Sequence, residues 1–322
     1  MCHSAVYSLF YTNVCYISFE MVENRDSMVG ELDIAWTQAL SGLQKLFGAS
    51  HGTIGEIGVH YGAYFAALVA LSWPGEPLWV CDLFDELQNL NLDKSGRGNV
   101  DRFVRKVSDH TGREDIHMEI RPSYELYKHN IAPSKPFRML SIDGSHMETN
   151  TFTDLSWATR HIASGGLVAI DDVASPRWLG PSRALRAFWH LHDRQYLFLP
   201  LLLTPKKLWI VGRRWHANYS DGIARLSRHT TSGKTLTKVG TFHNFVSLLN
   251  TNEPRVNGTV DHAPLWLPTP TPSPHVWFIR SLNHINTAAA RRAAAIATAE
   301  STFQKDIDSI KRARSKEHTP QV

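Results

Sequence analysis

Two short apolar runs between Phe137 and Asp172 each end abruptly in acid, and that repetition constrains the fold more than any other feature. The first, Phe137-Arg138-Met139-Leu140-Ser141-Ile142, is closed by Asp143-Gly144-Ser145-His146, and the second, Gly166-Leu167-Val168-Ala169-Ile170, by Asp171-Asp172. A segment of helical length, Thr149 to Ala163, lies between them. Continuous apolar runs of this length suit strands buried on both faces, and two such strands joined by a helix form a parallel pair. Their C-terminal ends then lie side by side, so three carboxylates and an imidazole are expected to converge in one crevice.

Upstream, the same alternation repeats. Leu32 to Leu46 carries apolar residues at helical spacing, with Gly48 as its stop. Thr53 to Val59 reads as a strand running into a glycine turn, Ala63 to Leu71 as a helix, and Leu78 to Cys81 as a buried strand ended by Asp82. Val100 to Asp109 is amphipathic, and Ile116 to Ile120 alternates like a strand. Downstream, the strand-like Tyr196–Leu203 and Leu208–Val211 are separated only by Thr204-Pro205-Lys206-Lys207. Four residues cannot make a parallel crossover, so this pair is expected to be an antiparallel hairpin. The whole reads as an α/β fold with helices on both faces of a mostly parallel sheet.

At 322 residues and 43% hydrophobic content, the chain can bury one large domain with appendages. Charge is unevenly spread: residues 1–200 carry 17 Lys+Arg against 23 Asp+Glu, and residues 201–322 carry 17 against 7. The basic final third reads as a solvated tail, or as a surface for an anionic partner. Cys2, Cys15 and Cys81 form neither a pairing framework nor a metal-ligand spacing, which suits a reducing compartment. Met1 to Val22 is aromatic-rich but lacks the basic start of a signal peptide, and no run approaches the roughly 20 apolar residues of a membrane span. A cytoplasmic protein is expected. Pro264 to Pro274 holds five prolines in eleven residues and reads as a linker. From Ile285 an Ala-rich stripe at helical spacing, ending near Ile310, suits packing on its own domain or on a sister copy.

Glu56-Ile57-Gly58-Val59-His60-Tyr61-Gly62 follows the first strand and precedes a helix, where glycines let backbone approach a ligand and the helix start supplies donors. Asp82 falls 20 residues after Gly62, the spacing at which an acid meets ribose hydroxyls in nucleotide-binding sheets; a helix cap is the plainer role. The third glycine of a dinucleotide fingerprint is missing. Tyr124 and Lys128 match a dehydrogenase Tyr-x-x-x-Lys spacing, but they fall too early in the sheet for it. His190, His192 and Asp193 resemble a ligand cluster, yet helical positions two apart face different ways.

Taken together, these stretches resemble the class I S-adenosylmethionine-dependent methyltransferases. They look most like the metal-dependent, small-molecule O-methyltransferase branch. The matching segments are Glu56–Gly62, Cys81–Phe84, Asn91–Gly96, Ser141–His146 and Gly165–Asp172, continuing into Pro176–Gly180, over about Leu32 to Arg214. The resemblance implies a Rossmann-like sheet of seven strands ending in the antiparallel hairpin, followed here by a C-terminal helical extension. It implies that Glu56, Gly58 and Gly62 hold the amino-acid part of S-adenosylmethionine, Asp82 its ribose, and Ser123 its adenine. Asp143, Asp171 and Asp172 match positions that bind a divalent cation, usually Mg²⁺, whose hard-oxygen preference suits carboxylates. Such a cation would also relieve repulsion between the adjacent acids.

Metal coordination would lower an acceptor hydroxyl's pKa, and His146, three residues after Asp143, is the candidate base; alternatively it only orients Asp143 or a water. Arg177 and Trp178 fall on the loop that would cover the acceptor. The expected domains are 1–27 as an N-terminal extension, 28–216 as the methyltransferase, 217–282 as an irregular basic and Pro-rich extension, and 283–322 as the Ala-rich helix. The expected activity is O-methylation of a sugar, glycoside or natural-product scaffold in secondary metabolism. No nucleic-acid partner is expected, and the C-terminal helix suits a homo-oligomer. A metal-independent N- or O-methyltransferase and a non-catalytic nucleotide-binding module are the alternatives.

Overall fold

The computed structural model describes residues 30–191, 197–228, 236–241 and 275–279. The expected N-terminal extension, the Pro-rich stretch, the Ala-rich helix, His192 and Asp193 lie outside them. Helix α1 (Glu31–Phe47) is followed by β1 (Thr53–Ile57), α2 (Ala63–Ala70), β2 (Leu78–Asp82), α3 (Val100–Thr111), β3 (Ile116–Ile120) and α4 (Tyr124–Lys128). Then come β4 (Phe137–Ile142), α5 (Glu148–Ala158), β5 (Ile162–Asp171), α6 (Gly180–His190), β6 (Phe198–Leu203), β7 (Lys207–Gly212) and α7 (Arg213–Arg228).

These strands lie in the order β3-β2-β1-β4-β5-β7-β6. The first five are mutually parallel, and β7 runs antiparallel to both β5 and β6. The expected hairpin is present, with a connection of three residues, since Lys207 already belongs to β7. Two further strands, β8 (Leu236–Thr241) and β9 (His275–Ile279), extend the sheet to nine, with β9 parallel to β6 and β8 antiparallel to β9. The expected seven strands form one continuous run from the β3 edge, and the two further strands extend it past β6.

Each face of the sheet buries its own cluster. One centres on Leu40, Phe65, Leu68, Phe103 and Trp209 beneath α1, α2 and α3. The other centres on Leu140, Leu155, Phe188 and Ile210, with the Trp79 and Trp157 rings stacked at 5.3 Å. Both faces of β1 and β4 are covered, and every residue in each strand is buried, including Glu56 and Arg138. Gly48 ends α1 in the left-handed conformation, at φ 68°.

The boundary expected at 216 falls inside α7. Its composition is polar, but Trp215, Tyr219 and Ile223 recur every four residues and pack on the α1 side. The Tyr219 hydroxyl donates to the Gly165 carbonyl at 2.6 Å, and its ring meets Phe47 edge-on. Charged neighbours hide this stripe in the sequence; past the expected boundary the helix continues to Arg228, with Tyr219 and Ile223 buried.

Candidate active site

Strand order reverses between β1 and β4, which connect to opposite sides of the sheet. Ligands in open α/β sheets bind outside the strand C-termini at such a point. A cavity of about 700 Å³ opens there, lined by Glu56, Gly58, Asp143, His146, Asp172 and Trp178 among others. Gly62, absent from that lining, stands behind the turn.

The turn after β1 is shaped by steric necessity. Gly58 has φ +81°, and a Cβ there would come within 2.0 Å of the Asp143 carbonyl oxygen. Gly62, at φ +80°, would place a Cβ 2.8 Å from the Phe103 ring. The loop is held from β2: Asp82 Oδ2 accepts the backbone N–H groups of Val59 at 2.7 Å and His60 at 2.9 Å, and Oδ1 accepts that of Phe84 at 2.7 Å. Burial pushes the Asp82 carboxyl up, against these three donors. Asp82 thus braces the glycine turn while lining the cavity. Glu56 is 1% exposed, and neither of its carboxylate oxygens has a hydrogen-bond partner among the described residues. Burial drives its pKa well up, with Lys207 pulling the other way. Ser123 stands at the start of α4 and also lines the cavity.

At the ends of β4 and β5 the expected acids come together, but in an unexpected arrangement. Asp143, His146 and Asp171 each present a ligand atom, all within 4.8 Å of one another. Asp172 is not in that set. Its backbone is left-handed, at φ 52°, and its Oδ2 lies 3.4 Å from His146 Nε2. Asp143 Oδ1 is 3.9 Å from the same nitrogen. The His146 ring stacks on Trp178 with centroids 4.7 Å apart, and the Arg177 guanidinium lies over the other ring of that pair, 5.0 Å from the Trp178 centroid. Arg177 itself is exposed.

Two residues of this site stand in segments noted in the sequence but were assigned no role there. Asp93, from the loop before α3, accepts the His146 backbone N–H, the Ser145 hydroxyl at 3.1 Å and the Ser95 N–H at 2.9 Å. Burial opposes its charge, but the bonds from His146 and Ser95 hold its carboxyl well below the usual range. Lys207 is the second. As the first residue of β7 it pairs in register with Asp171, and its Nζ lies 2.8 Å from Asp171 Oδ1 and 3.4 Å from Asp143 Oδ2. Lys207 is 3% exposed, with Ser141 Oγ at 3.3 Å and the Tyr64 ring centroid at 4.1 Å. Burial opposes the Lys207 charge, but Asp171 and Asp143 outweigh it and raise its pKa well up. A lysine heading an otherwise apolar strand was the available signal.

These contacts set the protonation states. Burial, then Asp171, push the Asp143 carboxyl up to about 7, against Lys207. For His146 burial favours the neutral ring, but hydrogen bonding to Asp172 and Asp93 and the Asp143 charge outweigh it and raise the pKa to about 9. The His146 bond holds Asp172 below its ordinary value.

The residues fit an S-adenosylmethionine-like cofactor: a glycine turn that lines the cavity stands beside an orphaned buried carboxylate that can receive an ammonium. They fit a divalent cation poorly. The space between Asp143 and Asp171 is taken by an ammonium, and Asp172, the third expected ligand, faces His146 instead. Hydrated Mg²⁺ requires several open positions.

Residues 56–173 match the family model described as a methyltransferase domain. Among solved structures, the chain is similar to the O-methyltransferase NovP, at 13% identity and a TM-score of 0.51, covering 64% of this chain and 98% of that one. It is also similar to the O-methyltransferase TomG from Streptomyces achromogenes, solved with S-adenosylmethionine, at 13% identity, TM-score 0.43, and 62% and 89% coverage. A third is CalS11, a TDP-rhamnose 3′-O-methyltransferase, at 13% identity, TM-score 0.42, and 62% and 93% coverage. No curated protein sequence matches the chain. The family match falls on the glycine turn, the acid-ended strands and the helix between them, so this stretch of the chain is similar to methyltransferase domains.

Proposed function

We propose that this domain transfers a methyl group from S-adenosylmethionine to a hydroxyl of a small molecule, of the sugar, glycoside or natural-product kind used in secondary metabolism. One observation carries the reading: His146, backed by Asp172 and Asp93, stands at the wall of the cavity that the Gly58 turn and Glu56 also line. A cavity of about 700 Å³ is in the range of small-molecule sites. Its polar floor and the Trp178 ring suit a hydroxylated acceptor with a flat or apolar face.

The bound cofactor supplies an already activated, electrophilic methyl group. The chain's own work is to align the acceptor and remove its proton. His146 Nε2 takes that proton, and Asp172 and Asp143 stabilise the imidazolium that results. Trp178 holds the ring plane, and the α6 start is packed so closely that a Cβ at Gly180 would come within 2.0 Å of the His146 carbonyl oxygen. Glu56 and Gly58 hold the amino-acid part of the cofactor, with Gly62 shaping the turn from behind, while Asp82 and Ser123 serve its nucleoside part. Arg177 meets the acceptor at the rim.

The single free, buried thiol among the described residues, Cys81, agrees with a reducing, cytoplasmic setting. Among those residues no helix is long and apolar enough to cross a membrane. The test is calorimetry with S-adenosylhomocysteine, followed by methyl transfer to a panel of nucleotide sugars, glycosides and phenols. We expect binding of the nucleoside and a methylated hydroxyl product, with His146→Ala lowering turnover by about 10²–10⁴-fold. Absence of S-adenosylhomocysteine binding would sink the reading.

A further inference from the structure

The two acids expected to share a divalent metal already share a cation that belongs to the chain. Lys207 reaches Asp171 at 2.8 Å and Asp143 at 3.4 Å, and register pairing of β5 with β7 places it beside Asp171 by backbone geometry. Its remaining surroundings are also those of an organic ammonium. The Tyr64 ring presents its face at 4.1 Å, and Ser141 Oγ accepts a hydrogen bond at 3.3 Å. Tyr64 is itself fixed by a 2.7 Å hydrogen bond to Thr37.

A metal ion bound by the same two carboxylates would sit against this ammonium, and like charges so close repel strongly where water is excluded. The lysine's butyl chain also fills space that coordinated waters would need: Lys207 is 3% exposed. Finally, Asp172 is turned away. Its left-handed backbone sends the carboxylate to His146 Nε2, 3.4 Å away, where it serves the imidazole.

We propose that the Lys207 ammonium is the resident cation of this site. It neutralises Asp143 and Asp171 where the resemblance would put a divalent metal, so methyl transfer runs without one. The proposal rests on the methyltransferase reading, and it assigns Lys207 as a positioning residue. Its work is to hold the two acids at the cavity floor, with Asp143 facing His146 across 3.9 Å.

The test uses the full chain saturated with S-adenosylhomocysteine and titrated with Mn²⁺ and then Mg²⁺, followed calorimetrically and, for Mn²⁺, by electron paramagnetic resonance. Nucleoside binding is measured first, so its failure counts against the methyltransferase reading alone. The wild type is expected to take up neither ion at millimolar concentration and to keep its turnover in a chelator. Lys207→Met, which removes the cation and leaves the carboxylates, is expected to tighten Mn²⁺ binding by about tenfold or more. Lys207→Gln, which keeps a hydrogen-bonding head of similar reach, is read the same way should Lys207→Met not fold. Tight Mn²⁺ or Mg²⁺ binding by the wild type overturns the proposal. So does a variant that binds S-adenosylhomocysteine but gains no metal.

Discussion

His146 stands among three carboxylates that reach it from different parts of the chain: Asp143 from the end of β4, Asp172 from the end of β5, and Asp93 from the loop before α3. Its candidacy was legible because an imidazole three residues after a strand-ending acid must lie near the cavity. Its charge was not, because Asp93 lies 53 residues away and nothing local announces that contact. The consequence is a base that begins protonated. Starting from an ordinary 6.5, its pKa is raised to about 9, so the neutral ring is scarce at pH 7 and turnover should climb as pH rises toward 9. Asp172→Asn removes the largest of the contacts that raise it, and the midpoint of that limb should move down. Stability runs the other way. A histidine whose folded pKa exceeds its unfolded value contributes stability that is complete below about 6.5 and lost as pH rises through about 9. Thermal denaturation should therefore show a fall between pH 7 and 9 that is smaller in His146→Gln. A flat rate profile across that interval would remove His146 as the base.

At the scale of elements, the glycine turn between β1 and α2 does the most positional work. Gly58 lies so close to the end of β4 that the two strand ends share one wall of the cavity, and Asp82 ties the next residues to β2. The turn was readable from its two glycines. The brace was not, since a carboxylate accepting three backbone N–H groups has the same sequence signature as one awaiting a ribose. Gly58→Ala combines a left-handed backbone, costing about 1–2 kcal/mol for a residue with a Cβ, with a contact at 2.0 Å that only a shift of β4 can relieve. S-adenosylhomocysteine affinity should fall by about tenfold or more, while Gly75→Ala, with no atom within 4 Å of its added Cβ, should leave it near wild type. Equal affinities in the two variants would mean that the turn does not hold the cofactor. Helix α7 shows the opposite limit of legibility. Charged residues at 213, 214 and 221 hid the spacing of Trp215, Tyr219 and Ile223, although Gly222 packs against Leu43 tightly enough that a Cβ would come within 2.7 Å.

Across the whole molecule, the two ends of the sheet carry different burdens. The C-terminal end of β4 opens on the cavity, while its N-terminal end holds Arg138, fully buried within a run whose other members are mostly apolar. Every guanidinium nitrogen is engaged. Nε and Nη2 bond Glu76 at 2.7 and 2.8 Å, Nη1 bonds Gln44 at 2.7 Å, and Nη2 also bonds the Leu71 carbonyl at 2.9 Å. The Trp73 ring lies 4.1 Å below. Glu76 in turn accepts the backbone N–H groups of Gly52 and Trp73, so the pair joins α1, β4 and the segments around α2. The sequence shows Arg138 only as an interruption in an apolar strand, because Glu76 is 62 residues distant. Removing one partner strands a buried charge, whereas a fully satisfied pair adds less than its contacts suggest. Glu76→Ala should therefore cost about 3–5 kcal/mol in urea unfolding. Replacing Arg138 with Met alongside Glu76→Gln should recover part of that loss, because the amide oxygen can still accept one backbone N–H. The remaining folded protein should bind S-adenosylhomocysteine as the wild type does, since the strand separates this pair from the cavity. A Glu76→Ala cost below about 1 kcal/mol would mean that water reaches the guanidinium and that the pair does not anchor this end of the sheet.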